Sequence, residues 1–330
     1  MKRQSVVWVM VLAGFVLAGC GQRSAWIIRP VSPDEKLTES VVSRDPGLFV
    51  GAKIAIIDVD GLLLNSRRQS IFSAGENQVS LFVEKLDKAQ RDPNVKAMII
   101  RINSPGGGVT ACDIMHDRLR RFRDARRDVR VFAVIEDVGA SGAYYVACGA
   151  ERILAHPTSV VGSIGVIVQT VSFAGTMAKL GIDAHAITSG KHKDLASPLK
   201  PLDKEDQAIL QEMVDRYYKR FLKVVGAGRK ALPAVRVKAL ADGRVFAGEQ
   251  AKELGLVDGL MHMTEAIQLA KQECGAKRVK VVIYHRPWGH RANVYSTLPT
   301  PPQINLINIS VGDFLDMARP RFMYLWTGRR

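Results

Sequence analysis

Cysteine is scarce in this sequence, with four residues in 330. Apart from Cys20 near the N-terminus, the cysteines are Cys112, Cys148 and Cys274, and their spacing is wide and irregular. They form no CxxC pair and share no metal-ligand spacing with a histidine, and the seven histidines contain no HExxH motif. We therefore expect neither a disulfide framework nor a metal site.

Acidic residues are also in short supply, with 32 Asp and Glu against 47 Lys and Arg, which leaves a net charge of +15. Such an excess is compatible with nucleic acid, with anionic lipid or simply with solubility. No zinc-finger, basic-zipper or RNA-binding signature accompanies it. The charge therefore favours a membrane surface over nucleic acid as a partner.

The N-terminal apolar run is shorter than a bilayer span. It extends uncharged from Val6 to Gly19, behind Lys2 and Arg3, whereas a spanning helix needs about 20 residues. This length is typical of a secretory signal, and residues 17–20, Leu-Ala-Gly-Cys, resemble a bacterial lipobox. In that interpretation Cys20 becomes the lipid-modified first residue. The alternative is an uncleaved N-terminal anchor, and either way the body lies outside the cytoplasm, tied to a membrane.

The remaining chain divides by composition into a tether, a domain and an arm. Residues 21–51 are polar with prolines and indicate a tether, and residues 284–330 change character again and indicate a C-terminal arm. Between them, strand patterns at 52–61 and 95–102 flank helical spacing over 76–90. This strand–helix–strand order predicts an α/β architecture with buried parallel strands.

Further elements are expected along residues 52–283. They are a strand over 129–136, strands at 152–155 and 160–168, a helix over 173–180, a strand over 183–188, helices over 203–225, 247–254 and 264–274, and a strand over 279–284.

One serine stands among small residues directly after a predicted strand. Residues 137–149 read DVGASGAYYVACG, with Ser141 followed by Gly142. Glycine and alanine here leave room for a backbone or a substrate to approach the hydroxyl. The alternative is that Ser141 only caps the helix that follows.

A glycine triplet, residues 106–108, follows the strand at 95–102 and precedes a helix. Such a turn exposes backbone N–H groups. No Lys-Ser/Thr follows, so a P-loop is disfavoured. A plain turn and an oxyanion hole built from backbone donors remain as interpretations.

A nucleophilic serine needs a base to take its proton. No histidine has a suitable local setting, whereas lysine can serve if burial disfavours its ammonium form. Residues 189–198, SGKHKDLASP, form a polar loop that carries Lys191 and Lys193.

Five motifs in order resemble those of the bacterial SppA-type signal peptide peptidases: NSPGG, GASGAYYVAC, VGSIGV, SGKHKDLASP and DGRVFAGEQAKELGLVDGL. They cover residues 52–283, and the chain resembles the short, single-copy form. The resemblance implies a fold like that of Clp proteases and crotonases, a spiral of ββα units. It also implies a serine peptidase that needs no cofactor.

Carried over motif by motif, the resemblance makes Ser141 the nucleophile, Lys193 the general base and Ser163 the group that orients the lysine. The oxyanion donors are then the N–H of Gly142 and that of Gly107 or Gly108. Lys191 is the rival base. The resemblance further implies a homo-oligomer whose active sites take Ser and Lys from neighbouring subunits, with remnant signal peptides or other short hydrophobic peptides as substrates.

Two other functions compete with this one. A non-catalytic membrane scaffold of the same fold would not need the serine–lysine pair, and a crotonase-like acyl-CoA enzyme would use the backbone donors without it. The basic C-terminal arm either docks on a neighbouring chain or faces the membrane.

Overall fold

The computed structural model describes residues 36–66, 69–70, 73–74, 76–286 and 321–328. The strands, in chain order, are β1 (Thr38–Arg44), β2 (Lys53–Asp60), β3 (Gln69–Ser70), β4 (Ser73–Ala74), β5 (Val95–Ser104), β6 (Gly106–Gly108), β7 (Arg130–Ala140), β8 (Arg152–Ala155), β9 (Val160–Gly162), β10 (Ile167–Val168), β11 (Val245–Ala247), β12 (Gly259–Leu260), β13 (Lys280–His285) and β14 (Phe322–Leu325). The helices are α1 (Gln78–Arg91), α2 (Val109–Ala125), α3 (Gly142–Ala147), α4 (Ala174–Lys179), α5 (Lys204–Gly228), α6 (Ala234–Leu240), α7 (Gly248–Glu253) and α8 (Met263–Glu273).

The main sheet has the strand order β1-β13-β2-β5-β7-β8-β12, and β9 and β11 extend it beside the end of β7. From β13 to β12 the pairings are parallel. The steps β2-α1-β5, β5-α2-β7 and β7-α3-β8 advance across the sheet in one direction. The α/β spiral expected from the sequence is confirmed.

The central strands carry nearly continuous apolar runs because both of their faces are covered. In β2, Ile54 and Ile56 pack into one core beneath α8, whereas Ala55 and Ile57 pack into a second, larger core with α1, α2, α3 and α5. Successive side chains of a strand point to opposite faces. A strand between two helical layers therefore needs apolar residues on both of its faces.

The predicted tether over residues 21–51 has to be corrected at its C-terminal end. Residues 38–44 form β1, which pairs antiparallel with β13, and the compact unit begins at Lys36. Lys53 joins β1 to the sheet through a 2.7 Å ion pair with Glu39. An edge strand keeps one side in water, so β1 lacks the apolar run that marks buried strands.

Two predicted strands differ in the structure. The expected strand over 160–168 is split into β9 and β10, which belong to different sheets, because the chain turns at Ser163, where φ is 50°. Residues 183–188 are exposed and have no regular structure. β propensity expresses packing against neighbouring strands, and this segment pairs with no strand among those described.

A second sheet lies beside the end of β7, with the order β10-β14-β6. Its central strand is β14, which comes from the predicted C-terminal arm. Residues 322–325 therefore belong to the folded domain, although the sequence placed the boundary at 283. β14 is apolar and pairs on both sides, which buries Tyr324 completely.

The motif Gly255-Leu256-Val257-Asp258 is held by one partly buried ion pair. Arg229 donates to both carboxylate oxygens of Asp258, at 2.7 and 2.8 Å. The Ile153 N–H donates to the same carboxylate at 2.7 Å. Burial alone would raise the pKa of Asp258, but these hydrogen bonds from Arg229 and Ile153 lower it overall.

We expect Asp258→Asn to lower the free energy of unfolding by about 2–3 kcal/mol at pH 7, because Arg229 loses its buried counter-charge. The folded-state pKa of Asp258 lies below the ordinary 3.8. The ion pair therefore contributes fully above that value, and its contribution is lost as the pH falls through the lowered pKa. Urea unfolding of both proteins at several pH values measures this. A difference that stayed constant down to a pH of about 2 would contradict it.

No helix among the described residues is long and apolar enough to cross a membrane. The predicted targeting segment, residues 1–20, lies outside the described part of the chain, and so does Cys20.

Candidate active site

Ser141 lies at the junction between β7 and α3, in a backbone conformation that serine rarely adopts. Its φ is 53° and its ψ is −116°. The Ser141 N–H donates to the Gly162 carbonyl at 2.7 Å, and its carbonyl accepts from the Tyr145 N–H at 2.9 Å. Such a conformation costs on the order of 1–3 kcal/mol and persists only where the surroundings impose it. Here β9 and the buried helix α3 impose it.

The side chain of Ser141 does not cap α3. Although Ser141 occupies the N-cap position, its hydroxyl makes no capping hydrogen bond. The residue is 1% exposed, and Oγ is buried without a hydrogen-bond partner among the described residues. Buried polar atoms are nearly always paired. An unpaired hydroxyl in a strained turn therefore indicates a functional position rather than the cap that was the alternative.

The glycine triplet lies directly against this turn. A Cβ added to Gly142 would stand 3.1 Å from the Gly107 nitrogen, and one added to Gly106 would stand 2.6 Å from the Gly142 nitrogen. The two predicted donor segments therefore converge, although they are far apart in sequence. This is the arrangement required for a pair of backbone N–H groups to bind one oxygen.

The two candidate donors within the triplet differ in what they bind. The Gly108 N–H donates to the Leu63 carbonyl at 2.9 Å, and the Gly106 carbonyl accepts from the Leu63 N–H at 2.9 Å. These bonds hold the triplet flat against residue 63, where a Cβ on Gly107 would stand 1.9 Å from the Leu63 oxygen. The Gly107 N–H is therefore the better oxyanion donor of the two.

Gly142 has to be glycine for a reason of packing. A Cβ at this position would stand 2.4 Å from Sγ of Cys112, on α2, and 3.0 Å from the Tyr324 carbonyl oxygen. Cys112 is fully buried, and burial raises the pKa of its thiol beyond the physiological range. Its role is to pack behind the turn, as expected for a buried, inert cysteine.

Ser163 lies next to Ser141, one residue after the Gly162 carbonyl that Ser141 binds. It too has a positive φ, of 50°, and its N–H donates to the Arg244 carbonyl at 2.7 Å. The residue is 6% exposed. The structure therefore brings Ser141, Gly142, Gly107 and Ser163 together in one place.

Lys193 is not part of this group within the single chain. It lies in the irregular loop before α5, where its backbone N–H donates to the Gly190 carbonyl at 3.0 Å. Its side chain is exposed and makes no hydrogen bond or ion pair with any described residue. Side-chain contacts lie on both sides of Lys193 in the loop. His192 contacts Asp206 at 3.3 Å, and Lys200 contacts Asp194 at 2.8 Å. The loop is thus held to the start of α5 while the Lys193 amine is left without a partner.

Lys191, the rival base, is engaged elsewhere. Its ammonium forms an ion pair with Glu205, which raises the pKa of Lys191 above its ordinary value. A base must give up its proton before it can accept another. The pairing with Glu205 therefore disfavours Lys191 in that role.

Sequence reasoning missed the participation of β14 at this site. Tyr324 faces Gly107 across the second sheet, and its carbonyl oxygen lies against both Gly106 and Gly142. The terminal motif Arg-Phe-Met-Tyr-Leu was a signal, since it is an apolar segment standing apart from the domain in sequence. Only the pairing of strands shows where it binds.

Comparisons with known proteins identify a peptidase family. Residues 123–277 match peptidase family S49. The putative signal peptide peptidase SppA of Enterococcus faecium is 32% identical over 232 residues, which are 70% of this chain and 67% of that protein. A putative protease of Methanocaldococcus jannaschii is 33% identical over 250 residues, 75% of this chain and 79% of its own.

Two further known proteins match over a smaller share of their own length or at a lower sequence identity. Protease 4 of Haemophilus influenzae is 31% identical over 67% of this chain, which corresponds to 34% of that longer protein. The solved structure of the 1510-N membrane-bound stomatin-specific protease aligns with 67% of this chain and 85% of its own, at 13% identity and a TM-score of 0.43. On the Enterococcus faecium and Methanocaldococcus jannaschii relatives, which match across most of both chains, this protein belongs to peptidase family S49 and is a serine peptidase of the SppA type.

Proposed function

We propose that this protein is a membrane-tethered endopeptidase that cleaves short hydrophobic peptides with a Ser141–Lys193 dyad shared between subunits. The observation that carries the proposal is the buried, unpaired Ser141 hydroxyl in its strained turn, beside the N–H groups of Gly142 and Gly107. A nucleophile, an oxyanion hole and an orienting serine are what acyl transfer requires.

In the proposed reaction, Ser141 Oγ attacks the peptide carbonyl carbon while the neutral Lys193 amine takes the hydroxyl proton. The Gly142 and Gly107 N–H groups stabilise the oxyanion that develops. The lysine then passes its proton to the leaving amine, which departs and leaves an acyl-enzyme. Water, deprotonated by the same lysine, hydrolyses the ester and restores Ser141. Ser163 accepts a hydrogen bond from the lysine and orients it.

The surroundings of Lys193 support the proposal that it acts in the active site of a neighbouring subunit. Helix α4 buries none of its residues, and the segment around it exposes large apolar side chains. These are Val171, Leu180, Ile182, Ile187, Leu199 and Leu202. An exposed apolar patch of this kind marks an interaction surface. A second subunit over the loop would also remove the Lys193 amine from water, and desolvation favours the neutral amine that a base must be.

The proposed substrates are remnant signal peptides and similar short hydrophobic segments. The support comes from the relatives whose names describe signal peptide peptidases and from the N-terminal segment, which would hold the active site near the membrane where such peptides are released. The experiment is incubation of the purified protein with a hydrophobic peptide, with the Ser141→Ala protein as its comparison. Equal cleavage by the two would reject the proposal, and no cleavage by either would favour a non-catalytic scaffold.

We expect Cys20 to carry lipid at the mature N-terminus, because Ala18 and Gly19, directly before it, have the small side chains that a lipobox peptidase requires. Mass spectrometry of the N-terminal peptide from the membrane fraction measures this, and Cys20→Ser provides the unmodified control. Recovery of an intact Met1 terminus would instead support an uncleaved anchor.

A further inference from the structure

The parallel strands of the main sheet begin at an edge that is rich in cations. Strands there start at or beside a basic residue, namely Lys53 in β2, Lys96 in β5, Arg130 in β7, Arg152 in β8 and Lys280 in β13. Each connecting helix returns the chain from the end of one parallel strand to the start of the next, so α1, α2 and α8 end at the same edge. Their last turns carry Arg91, Arg123 and Lys271. We call this side of the domain, opposite to Ser141, the basic edge.

Ion pairs neutralise only part of this charge. Lys53 binds Glu39 and Asp92, each at 2.7 Å. Further cations at or next to the edge form no ion pair with any described residue: Arg44, Arg91, Arg127, Lys277, Arg278 and Lys280. The helix dipole favours cations at a helix C-terminus, but Arg44 and Lys280 lie in strands. The basic edge therefore keeps an excess of positive charge that helix stability does not explain.

The loop between β1 and β2 places two large apolar side chains at the basic edge. Leu48 is 88% exposed and Phe49 is 94% exposed. The loop lies at this edge because Arg44, at the end of β1, is opposite Lys280, at the start of β13. A single exposed apolar residue is ordinary, but two in succession beside a group of cations are typical of a surface that meets lipid. We call Leu48 and Phe49 the apolar tip.

The loop that carries the apolar tip is held in place by its neighbours. The Asp45 carboxylate accepts from the Val279 N–H at 2.8 Å and pairs with Lys271 at 2.8 Å. Gly47, with a φ of 142°, packs against the Arg278 guanidinium, where a Cβ would clash. The tip is therefore presented on a fixed loop, and no described residue covers its side chains.

Charge decides which partner fits this surface. Two copies of the chain that met through their basic edges would bring like charges together, which disfavours that association. Nucleic acid offers phosphates for the cations but no apolar layer for Leu48 and Phe49. An anionic bilayer offers both, because phosphate groups lie at its surface and acyl chains lie below them.

We propose that the basic edge docks on an anionic membrane surface, with the apolar tip inserted among the lipid headgroups and the surrounding cations bound to lipid phosphates. This contact is separate from the lipid expected on Cys20. It involves a surface remote from Ser141 and does not rest on the proposed peptidase chemistry.

Docking through the basic edge sets the height of the candidate active site above the lipid. Strand β7 runs over 11 residues from Arg130, at the basic edge, to Ala140, next to Ser141. At about 3.3 Å per residue, Ser141 lies roughly 35 Å from the lipid surface. A peptide released from the bilayer reaches Ser141 in this arrangement, whereas a segment still embedded in lipid does not.

The test measures whether the apolar tip enters a bilayer. Full-length Phe49→Trp protein is reconstituted in vesicles of phosphatidylglycerol and phosphatidylcholine whose acyl chains carry bromine close to the headgroups, where bromine quenches a neighbouring tryptophan. The chain's own four tryptophans are present in every variant, so quenching is taken as the difference from the unaltered chain. We expect the introduced tryptophan to lose about half of its emission or more, and almost none in brominated phosphatidylcholine alone.

Val41→Trp is the matched control for position. Val41 is 47% exposed on β1, the strand that leads into the loop, but it lies away from the basic edge, opposite Val282. The tryptophan introduced there should keep its emission in both kinds of vesicle.

Charge reversal tests the cations separately from the tip. Added to Phe49→Trp, the pair Arg91→Glu and Lys277→Glu should reduce the quenching at least about fivefold. Salt at about 1 M should do the same, because it shortens the Debye length to about 3 Å. The pair Lys219→Glu and Lys223→Glu, on exposed positions of α5, changes the net charge equally and should leave the quenching intact.

Absence of quenching in the phosphatidylglycerol vesicles would show that the inference is wrong. Equal quenching in both kinds of vesicle, or quenching that survives reversal of Arg91 and Lys277, would also reject it, because the cations would then not recognise the lipid. If quenching is absent and Leu48→Ser with Phe49→Ser lowers the mass of the oligomer, the tip joins copies of this chain instead. If quenching is absent and the basic edge binds duplex DNA in a manner that the same reversal abolishes, the partner is a nucleic acid.

Discussion

Replacing Ser141 with alanine should lower kcat for hydrophobic-peptide cleavage by about four powers of ten, as removal of a nucleophile does in related serine mechanisms. The reason is that Ser141, at the β7–α3 turn with a φ of 53°, is the proposed nucleophile, whereas the neighbouring Ser163 is proposed only to orient the lysine. The check is a measurement of the cleavage rate of purified Ser141→Ala protein. The protein is expressed in a host from which peptidases that cleave the same peptide have been removed.

The same substitution should leave stability almost unchanged, because the Ser141 hydroxyl has no hydrogen bond with the described residues to lose. We expect a change in unfolding free energy within about 0.5 kcal/mol. Ser159 is the matched control: it is also fully buried, and its hydroxyl donates to the Ile135 carbonyl at 3.0 Å. Ser159→Ala should lower stability by about 1 kcal/mol and keep activity. Full activity of Ser141→Ala, or equal losses of activity in both variants, would contradict the assignment.

Lys193→Ala should reduce kcat by about three to four powers of ten, because the serine then has no base. Lys191→Ala is its control, two residues earlier in the same loop. Lys191 is paired with Glu205, which keeps its ammonium protonated, so its removal should leave cleavage near the unaltered rate. The reverse result, with Lys191→Ala inactive and Lys193→Ala active, would transfer the role of base to Lys191.

Mixed oligomers of Ser141→Ala and Lys193→Ala chains test whether the dyad is shared between subunits. In the single chain, Lys193 is exposed and makes no hydrogen bond with the Ser141 hydroxyl. Ser141→Ala chains and Lys193→Ala chains are each expected to be inactive alone. When the two are co-expressed with different tags, the mixed oligomers should recover about a quarter of the unaltered activity. The reason is that random neighbours in a symmetric ring bring an intact Ser together with an intact Lys at that frequency. No recovery in isolated mixed oligomers would show that both groups come from one chain.

Much of the domain could be predicted because its signals are local. The strands β2, β5 and β7 carry runs of consecutive apolar residues, as burial between two helical layers demands. The ordered motifs around Ser141, Ser163 and Gly107 also placed the candidate site, and the structure brings these residues together. Their convergence follows from the parallel sheet, which places the ends of β5 and β7 side by side.

The misplaced elements share one physical cause, since each depends on a partner distant in sequence. β1 is an edge strand with one side exposed to solvent, and it forms by pairing with the open edge of β13. Residues 183–188 have a strand-like composition but no described strand beside them. Under the proposal that the dyad is shared between subunits, the position of Lys193 relative to a serine would also depend on contacts beyond the single chain, which the pattern of its own loop does not determine.

The sequence by itself determined the α/β class, the family and the identity of the chemical groups at the site, because these depend on residue types and short spacings. Only the tertiary structure decided that the Ser141 hydroxyl has no hydrogen-bond partner among the described residues and does not cap its helix, that the Gly108 N–H is bound to the Leu63 carbonyl, and that β14 pairs with the glycine triplet. Hydrogen-bond pairing and burial are properties of residues brought together from distant parts of the chain. They arise only when the sheet has formed.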